Sequence, residues 1–464
     1  MGWVNDKPIG NALVVGGGPA GALAAKALSD RNYKVTVCEA YPHPKGSEEK
    51  RHAYVVSLNS RGQRALRRVG VVIELLDGGV KNDRYVRHGK KVDAKPKIIK
   101  SEQPSLVIRR QKLTANLLAL AEQSGATICC GEKLIDVDFD NKVATFVATE
   151  TGKEVKRSYD LLVGADGVRS VTRTLLEKRG LVGPTRKEAD DMEYQVAVLP
   201  HWRELLRPET VVGDATDNST HTWTDRTSNS NSLVFPLDDG KSLVCVICPG
   251  GKLDELKSSK GYGPFLQALY PNWTDVARDD LAKQLAADDN VATTGGTCIW
   301  TSALASPKSG VVLVGDSGHG MWPSLGQGCN AALESSSVLA DAVDDVTGRI
   351  DAGEDVHKMI AQHFDKLRHE DAIAIVDLTF GGIGSRRTRG LNNGKSIFFL
   401  QLALTMLLHK LSFKVFPMPA LLRTMSGDDV SYSKLHWQNK VERLATYGVL
   451  VGIVALAGMK YFRS

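Results

Sequence analysis

Apolar and polar positions follow three patterns along the chain, and each predicts a different element. Near the N-terminus the unbroken apolar runs NALVV and KVTVCEA bracket an alanine-rich stretch of helical period. That is the pattern of two buried parallel strands joined by a helix. DLLVGADG (160–167) and GVVLVGD (310–316) again carry a buried strand into a glycine-containing loop, the second followed by an amphipathic segment to about Val343. Between about Glu188 and Gly295, runs such as SLVFPLDDGKSLVCVIC alternate with period two between turn residues, which predicts an antiparallel sheet. The third pattern is LATYGVLVGIVALAGM (444–459), which has no charge and is bracketed by Arg443, Lys460 and Arg463.

With Tyr461 and Phe462 counted, the 444–459 run approaches the roughly 20 residues that cross a bilayer, and its terminal lysine and arginines are placed to snorkel. It reads as a tail anchor, against the competing reading of a buried C-terminal helix. Upstream, residues 396–416 are apolar with Gln401, His409, Lys410 and Lys414 interspersed, which fits a membrane-surface helix and a core helix equally. At the other end no basic segment leads into a long apolar one, so no secretory signal is expected. Asp6 occupies the position where myristoylation requires Ser or Thr. The sequons at Asn218 and Asn272 are therefore read as unused.

Composition narrows the classes. A chain of 464 residues accommodates two or three domains. The net charge of +6 is spread without a basic run, which argues against a nucleic-acid partner. Seven cysteines, an odd number without zinc-ligand spacing, suit a reducing compartment. Cys245 and Cys248 form a CxxC within an alternating strand, where positions three apart face opposite sides, so both read as structural thiols.

Candidate chemistry begins at Gly16, Gly18 and Gly21, which stand in GxGxxG register between the first strand and the helix. The first glycine permits the tight turn, the second lets a pyrophosphate approach the backbone, and the third lets helix and strand pack closely. Free amides at the helix start then face the phosphates. Glu39 ends the second strand 18 residues after Gly21, where a carboxylate accepts both ribose hydroxyls. This unit alone suits NAD and FAD equally.

With the 160–176 and 310–343 segments added, the chain resembles the group A flavoprotein aromatic monooxygenases. The resemblance implies an α/β fold: a Rossmann-type FAD-binding domain (para-hydroxybenzoate hydroxylase-like), an antiparallel β-sheet substrate domain and a helical C-terminus. It implies that Asp166 belongs to the DG motif between the flavin and nicotinamide sites, and that Asp316 contacts the ribityl chain. Pro323 and His319 would position the flavin, although His319 is equally readable as a loop histidine satisfied by backbone. Gly326, Gln327, Gly328, Cys329 and Asn330 would present helix N-terminal amides to the flavin, whose reduced form is anionic there. FAD-binding segments fall at 1–80, 106–185 and 296–380, substrate-domain segments at 81–105 and 186–295, a helical region at 381–442 and the tail anchor at 443–464.

Within that group, YVVSLNSRGQRALRRVGV, LVIRRQKLTANLLALAE, WPSLGQGCNAALE and LHWQNKV followed by an apolar tail resemble kynurenine 3-monooxygenase. By that resemblance Arg110 reaches the cofactor and Arg84 holds the substrate carboxylate. The other three substrate partners do not match: one tyrosine falls near Lys97, the asparagine within TFGGIG, and the second tyrosine near Met418. The eukaryotic members' anchor implies a membrane-anchored enzyme with its catalytic domain facing the cytosol, the mitochondrial outer membrane among the candidates. No second GxGxxG follows a strand, as expected where NAD(P)H docks transiently as co-substrate. The implied cycle reduces FAD with NAD(P)H, adds O2 at C4a, and oxygenates a small aromatic substrate from the resulting hydroperoxide. No metal site is expected. Two rival readings are a hydroxylase or epoxidase of a membrane-soluble quinone or isoprenoid, and a flavin-binding scaffold without turnover.

Overall fold

The computed structural model describes residues 8–43, 54–211, 213, 215–290, 293–349, 354–381, 392–412 and 415–461, with only the helical backbone at 392–397 and 453–461. In chain order the strands are β1 (Asn11–Val15), β2 (Lys34–Glu39), β3 (Val55–Leu58), β4 (Val80–Arg87), β5 (Lys97–Arg109), β6 (Thr127–Cys130), β7 (Glu132–Asp138), β8 (Val143–Ala148), β9 (Glu154–Ser158), β10 (Leu161–Gly164), β11 (Arg186–Ala189), β12 (Met192–Leu199), β13 (Thr220–Asp225), β14 (Ser230–Pro236), β15 (Ser242–Pro249), β16 (Thr293–Thr294), β17 (Thr297–Trp300), β18 (Ala305–Ser306) and β19 (Val311–Leu313). The helices are α1 (Pro19–Ser29), α2 (Ser60–Arg68), α3 (Arg110–Gln123), α4 (Val171–Lys178), α5 (Trp202–Leu205), α6 (Lys252–Ser258), α7 (Tyr262–Leu269), α8 (Asp275–Ala286), α9 (Asp316–His319), α10 (Gly328–Thr347), α11 (Val356–Phe380), α12 (Asn392–Leu411), α13 (Ala420–Ser426) and α14 (Tyr432–Tyr461).

The buried apolar runs assemble as their pattern predicts. β19, β10, β1, β2 and β6 lie parallel in that order, with β18 antiparallel at the β19 edge. Strands that read as unbroken apolar runs need cover on both faces. One face packs on α1, α3, α10 and α11, and the other on the β7–β8–β9 meander and α4. All three segments that end in glycine loops therefore deliver those loops to the C-terminal edge of one sheet, where ligands bind in open α/β sheets.

The period-two region forms the expected sheet, β16-β12-β15-β14-β13-β4-β5-β3 among the described residues. It is antiparallel from β16 to β13, with the β13–β4 pairing parallel. Alternate side chains sort by face: Glu193, Gln195, Ala197, Val234, Val244, Val246 and Cys248 are buried on one side, most of them in a core shared with α6–α8. Tyr194, Val196, Leu233, Phe235, Cys245 and Ile247 are half-buried on the other. Cys245 and Cys248 thus lie on opposite faces as free thiols.

Beneath the sheet, His88 Nε2 meets His221 Nδ1 at 2.9 Å and its ring stacks on Trp223 at 4.1 Å. His88 Nδ1 also lies 3.1 Å from the Asn272 amide nitrogen. Burial pushes the His88 pKa down to about 4 and that of His221 well below the ordinary value.

The apolar run at 444–459 continues α14, which starts at Tyr432, so the segment expected from 443 is part of a longer helix. Tyr432, Leu435, Asn439 and Thr446 are buried along this helix at roughly helical spacing, and Gln401 of α12 donates to Asn439 Oδ1 at 2.9 Å. Among the described residues no helix is long and apolar enough to cross a membrane. The side chains from 453 onward, with Lys460 and Arg463, lie outside the described residues. Along α12, Phe398 and Gln401 are buried, while Phe399, Leu407, Leu408 and Leu411 are exposed.

Candidate functional site

The loop after β1 is held from both neighbouring strands. Gly16 N–H donates to the Cys38 carbonyl at 2.8 Å, and Gly17 N–H donates to Glu39 Oε2 at 2.6 Å. Gly16 has φ +99°, and a Cβ there would lie 2.5 Å from the Ala165 carbonyl oxygen. A Cβ on Gly21 would lie 1.9 Å from the Gly16 carbonyl oxygen, so backbone approaches backbone too closely for any side chain. α1 has no side-chain cap at Gly18. Its first intrahelical bond runs from Ala22 N–H to Gly18 C=O, leaving the amides of Ala20 and Gly21 for a ligand. Arg110 Nη2 reaches the open side of Gly18, 3.4 Å from where its Cβ would lie.

The DG and GD segments are locked together. Arg173, fully buried, donates from Nη1 to Ser317 C=O at 2.6 Å and from Nη2 to Val168 C=O at 2.8 Å. Ser317 Oγ bonds the carbonyls of Gly164 at 2.5 Å and Val314 at 2.7 Å. Asp166 does not point a free carboxylate at the cleft. It accepts from Ser170 Oγ at 2.6 Å, from the Val171 and Thr172 amides at 2.8 and 2.9 Å, and from Thr172 Oγ1 at 3.1 Å. It therefore shapes the turn against which Gly16 packs. Gly315 wedges between α1 and α10, where a Cβ would meet Ala20 at 3.0 Å and Ala332 at 3.2 Å.

Asp316 keeps an open face toward this junction. Yet desolvation raises its carboxyl, against the pull of Arg110 and Arg173. A narrow cleft reconciles the two: contact area stays open while protein surrounds the group. Cys329 faces the same recess, its thiol pushed up to about 12 by burial, with Arg110 opposing and Asp316 adding to the rise. Tyr54, also raised by burial, feels Arg110, Asp316 and Cys329. Gly18, Arg110, Asp316 and Cys329, chosen from distant segments, thus share one cleft. Tyr54, which the sequence did not single out, joins them.

The loop before α10 turns at Pro323 in a short 3-10 helix and passes Gly326, where a Cβ would meet open space. α10 lacks a side-chain cap, and its first intrahelical bond, Ala331 N–H to Gln327 C=O at 2.8 Å, leaves the amides of Gly328, Cys329 and Asn330 unpaired within the helix. The Asn330 side chain is structural: Oδ1 accepts from Asn59 N–H at 3.0 Å, and Nδ2 donates to the carbonyls of Ser57 at 3.1 Å and Gly326 at 3.0 Å. Behind the loop, Glu334 accepts from Arg61 at 2.6 Å and Arg368 at 2.7 Å. His319 belongs to this support, its Nε2 2.7 Å from Ser335 Oγ, and burial holds its pKa down at about 3.

On the half-buried face of the large sheet, Tyr194 lies within electrostatic reach of Tyr54, Cys245 and Arg110. Arg84 sits at a bulge in β4 opposite Lys100, with Asp83 Oδ1 3.8 Å from its Nε. Lys97 opens β5 opposite Arg87, Met418 is exposed, and 382–384 of the TFGGIG stretch lie outside the described residues. Among the described residues no group of three or more metal-ligating side chains gathers.

The donor set fits FAD: two uncapped helix starts, a glycine loop with no room for side chains at Gly16 and Gly21, an acid at the β2 end, and Arg110 between them. The comparisons agree. Residues 10–259, more than half of the chain, match the family model described as FAD binding domain. Relatives include the kynurenine 3-monooxygenase of Stenotrophomonas maltophilia, 27% identical over 374 residues, covering 78% of this chain and 79% of that one. That of Phaeosphaeria nodorum is 27% identical over 397 residues, covering 80% and 76%. Among solved structures, 2-methyl-3-hydroxypyridine-5-carboxylic acid oxygenase superposes with a TM-score of 0.65 at 19% identity, covering 92% of this chain and 100% of that one. Klebsiella pneumoniae HpxO complexed with FAD and uric acid gives 0.63 at 17%, covering 90% and 97%. These likenesses carry the fold.

Proposed function

The chain belongs to the FAD-binding-domain family, and from that premise we propose that it is an FAD-dependent monooxygenase using NAD(P)H and O2 to hydroxylate a small aromatic substrate. Kynurenine is the first substrate to test, because the relatives carrying that activity align over about four-fifths of the chain. The carrying observation is the meeting of Gly18, Arg110, Asp316 and Cys329 beside the uncapped start of α10. When bound, FAD supplies hydride acceptance and oxygen activation.

The chain's own residues bind, orient and exclude water. The glycine loop and the α1 amides would hold the pyrophosphate, Glu39 the ribose, and Asp316 the ribityl hydroxyls. Arg110, beside Gly18 and Asp316, would balance both Asp316 and the phosphates. The amides of Gly328, Cys329 and Asn330, at the positive end of a 20-residue helix, would stabilise negative charge on the reduced ring. Burial raises the Tyr194 pKa, so its hydroxyl stays protonated at neutral pH. The sheet face bearing it would cover the reacting centre and keep water out.

A second reading, a less polar ring such as a quinone precursor, is favoured by the apolar character of that face at Val196, Leu233, Phe235 and Ile247. One experiment separates the readings. Purified protein with FAD, NADPH and O2 is offered kynurenine, anthranilate-like rings or quinone precursors, and product and peroxide are both measured. Hydroxylated kynurenine supports the first reading, and product only from apolar rings the second. NADPH oxidation that no candidate accelerates, with no product, sinks both.

A further inference from the structure

The C-terminal helix reaches the back of the loop that starts α10. Tyr432, the first residue of α14 and fully buried, donates its hydroxyl to Gln327 Oε1 at 3.1 Å. Gln327 is the N-cap residue of α10. Its carboxamide is clamped from all sides: Oε1 also accepts from Asn59 Nδ2 at 3.2 Å, and Nε2 donates to Leu325 C=O at 3.0 Å. Asn59 in turn holds Asn330 through its backbone amide at 3.0 Å. A buried polar chain thus runs from α14 through Gln327 and Asn59 to the turn whose free amides line the cleft. Such chains fix geometry because each member left unpaired costs its desolvation.

The ring and the hydroxyl of Tyr432 have separable tasks. Its ring receives the Arg61 guanidinium at 3.9 Å from the centroid, and Arg61 ties α2 to the carbonyls of Asp428 at 2.7 Å and Val430 at 2.5 Å. A phenylalanine ring would accept that cation equally well. Only the hydroxyl engages Gln327. We propose that Tyr432 is a positioning residue for the flavin: acting through Gln327, its hydroxyl fixes the first turn of α10 and so sets cofactor affinity and reduction potential from the C-terminal helix. This rests on the cleft being the FAD site.

The test uses the full chain. Wild type, Tyr432→Phe, Gln327→Met and the double variant are titrated with FAD by fluorescence quenching. The midpoint potential of bound FAD and the unfolding midpoint of the apoprotein are measured beside it. Tyr432→Phe is expected to bind FAD about fivefold more weakly, the worth of one neutral hydrogen bond, and to lower the potential. In the Gln327→Met background the same substitution is expected to add nothing. If Tyr432→Phe lowers only the unfolding midpoint, leaving affinity and potential at wild-type values, the residue merely packs and the proposal is overturned. Additive effects in the double variant overturn it as well. Should Gln327→Met not fold, the affinity and potential of Tyr432→Phe decide alone. Wild-type protein that refuses FAD would instead defeat the functional reading itself, an outcome separate from the failure of Tyr432.

Discussion

The carboxylate of Glu39 accepts the Gly17 backbone N–H at 2.6 Å, so the acid ending β2 and the loop following β1 are joined by one charge-assisted bond. Its other oxygen accepts the Tyr41 amide at 3.0 Å. Glu39 therefore shapes the loop, and under the proposed function it would also meet the ribose. Glu39→Ala removes both effects and is expected to weaken FAD binding by about 30-fold, equivalent to about 2 kcal/mol. Glu39→Gln keeps an acceptor and should lose less. Isothermal titration with FAD separates the two, and equal losses would show that the charge is irrelevant.

The glycine loop gives a contrast between neighbours. At Gly21 a methyl would lie 1.9 Å from the Gly16 carbonyl oxygen, and backbone cannot yield cheaply. Gly21→Ala is expected to cost about 3 kcal/mol of stability and to abolish tight FAD binding. At Gly18 the nearest atom is the end of the Arg110 side chain, 3.4 Å away, so Gly18→Ala should fold normally and lose affinity only through crowding of the ligand. Denaturant unfolding of both apoproteins checks the order.

Much of this was legible in the sequence because it is local. Strand, glycines, helix and terminal acid follow one another within residues 11–39, and alternation in 230–249 specified its hairpin. What was not legible depends mostly on partners far along the chain: nothing beside Asn330 announces that its amide spans to Ser57. Asp166 is the exception, its carboxylate consumed four to six residues on by the start of α4. Tyr432 meets Gln327 across 105 residues. The tail shows the same dependence: hydropathy registers the apolar run, but the stripe of Tyr432, Leu435, Asn439 and Thr446 that joins α14 to the body begins before the run and includes polar residues.

The pairing of Glu334 with Arg61 and Arg368 sets up a third prediction. Burial alone would raise the carboxyl, and the two guanidiniums more than reverse that, holding it below the usual carboxylate range. Glu334→Gln leaves two buried cations short of a partner and is expected to destabilise the fold by about 3 kcal/mol at neutral pH. Since the unfolded chain binds the proton first as pH falls, the pair's contribution is complete above about pH 4.5 and fades below it. The stability gap between wild type and Glu334→Gln should therefore narrow in acid, read from urea unfolding at pH 7 and pH 4. A constant gap would mean that the carboxylate is not the source.

The histidine pair beneath the large sheet acts in a higher pH window. His88 is neutral in the fold because burial among Trp223, His221 and Asn272 disfavours its charged form and brings its pKa to about 4. In the unfolded chain the same imidazole titrates near 6.5. Between these values the unfolded state carries the extra proton, so stability falls as pH drops from about 6.5 toward 4 and is fully present above that range. A shift of this size corresponds to a loss on the order of 3 kcal/mol for His88 alone. His88→Gln keeps a hydrogen-bonding side chain without titrating. It is expected to cost stability at pH 7.5 but to flatten the decline between pH 6.5 and 5, where Glu334 is still ionised. Urea unfolding at half-unit steps across that interval reads the slope directly. An undiminished slope in the variant would assign the acid sensitivity to His221 or elsewhere, and the neutral His88 at the centre of the aromatic cluster would have to be abandoned.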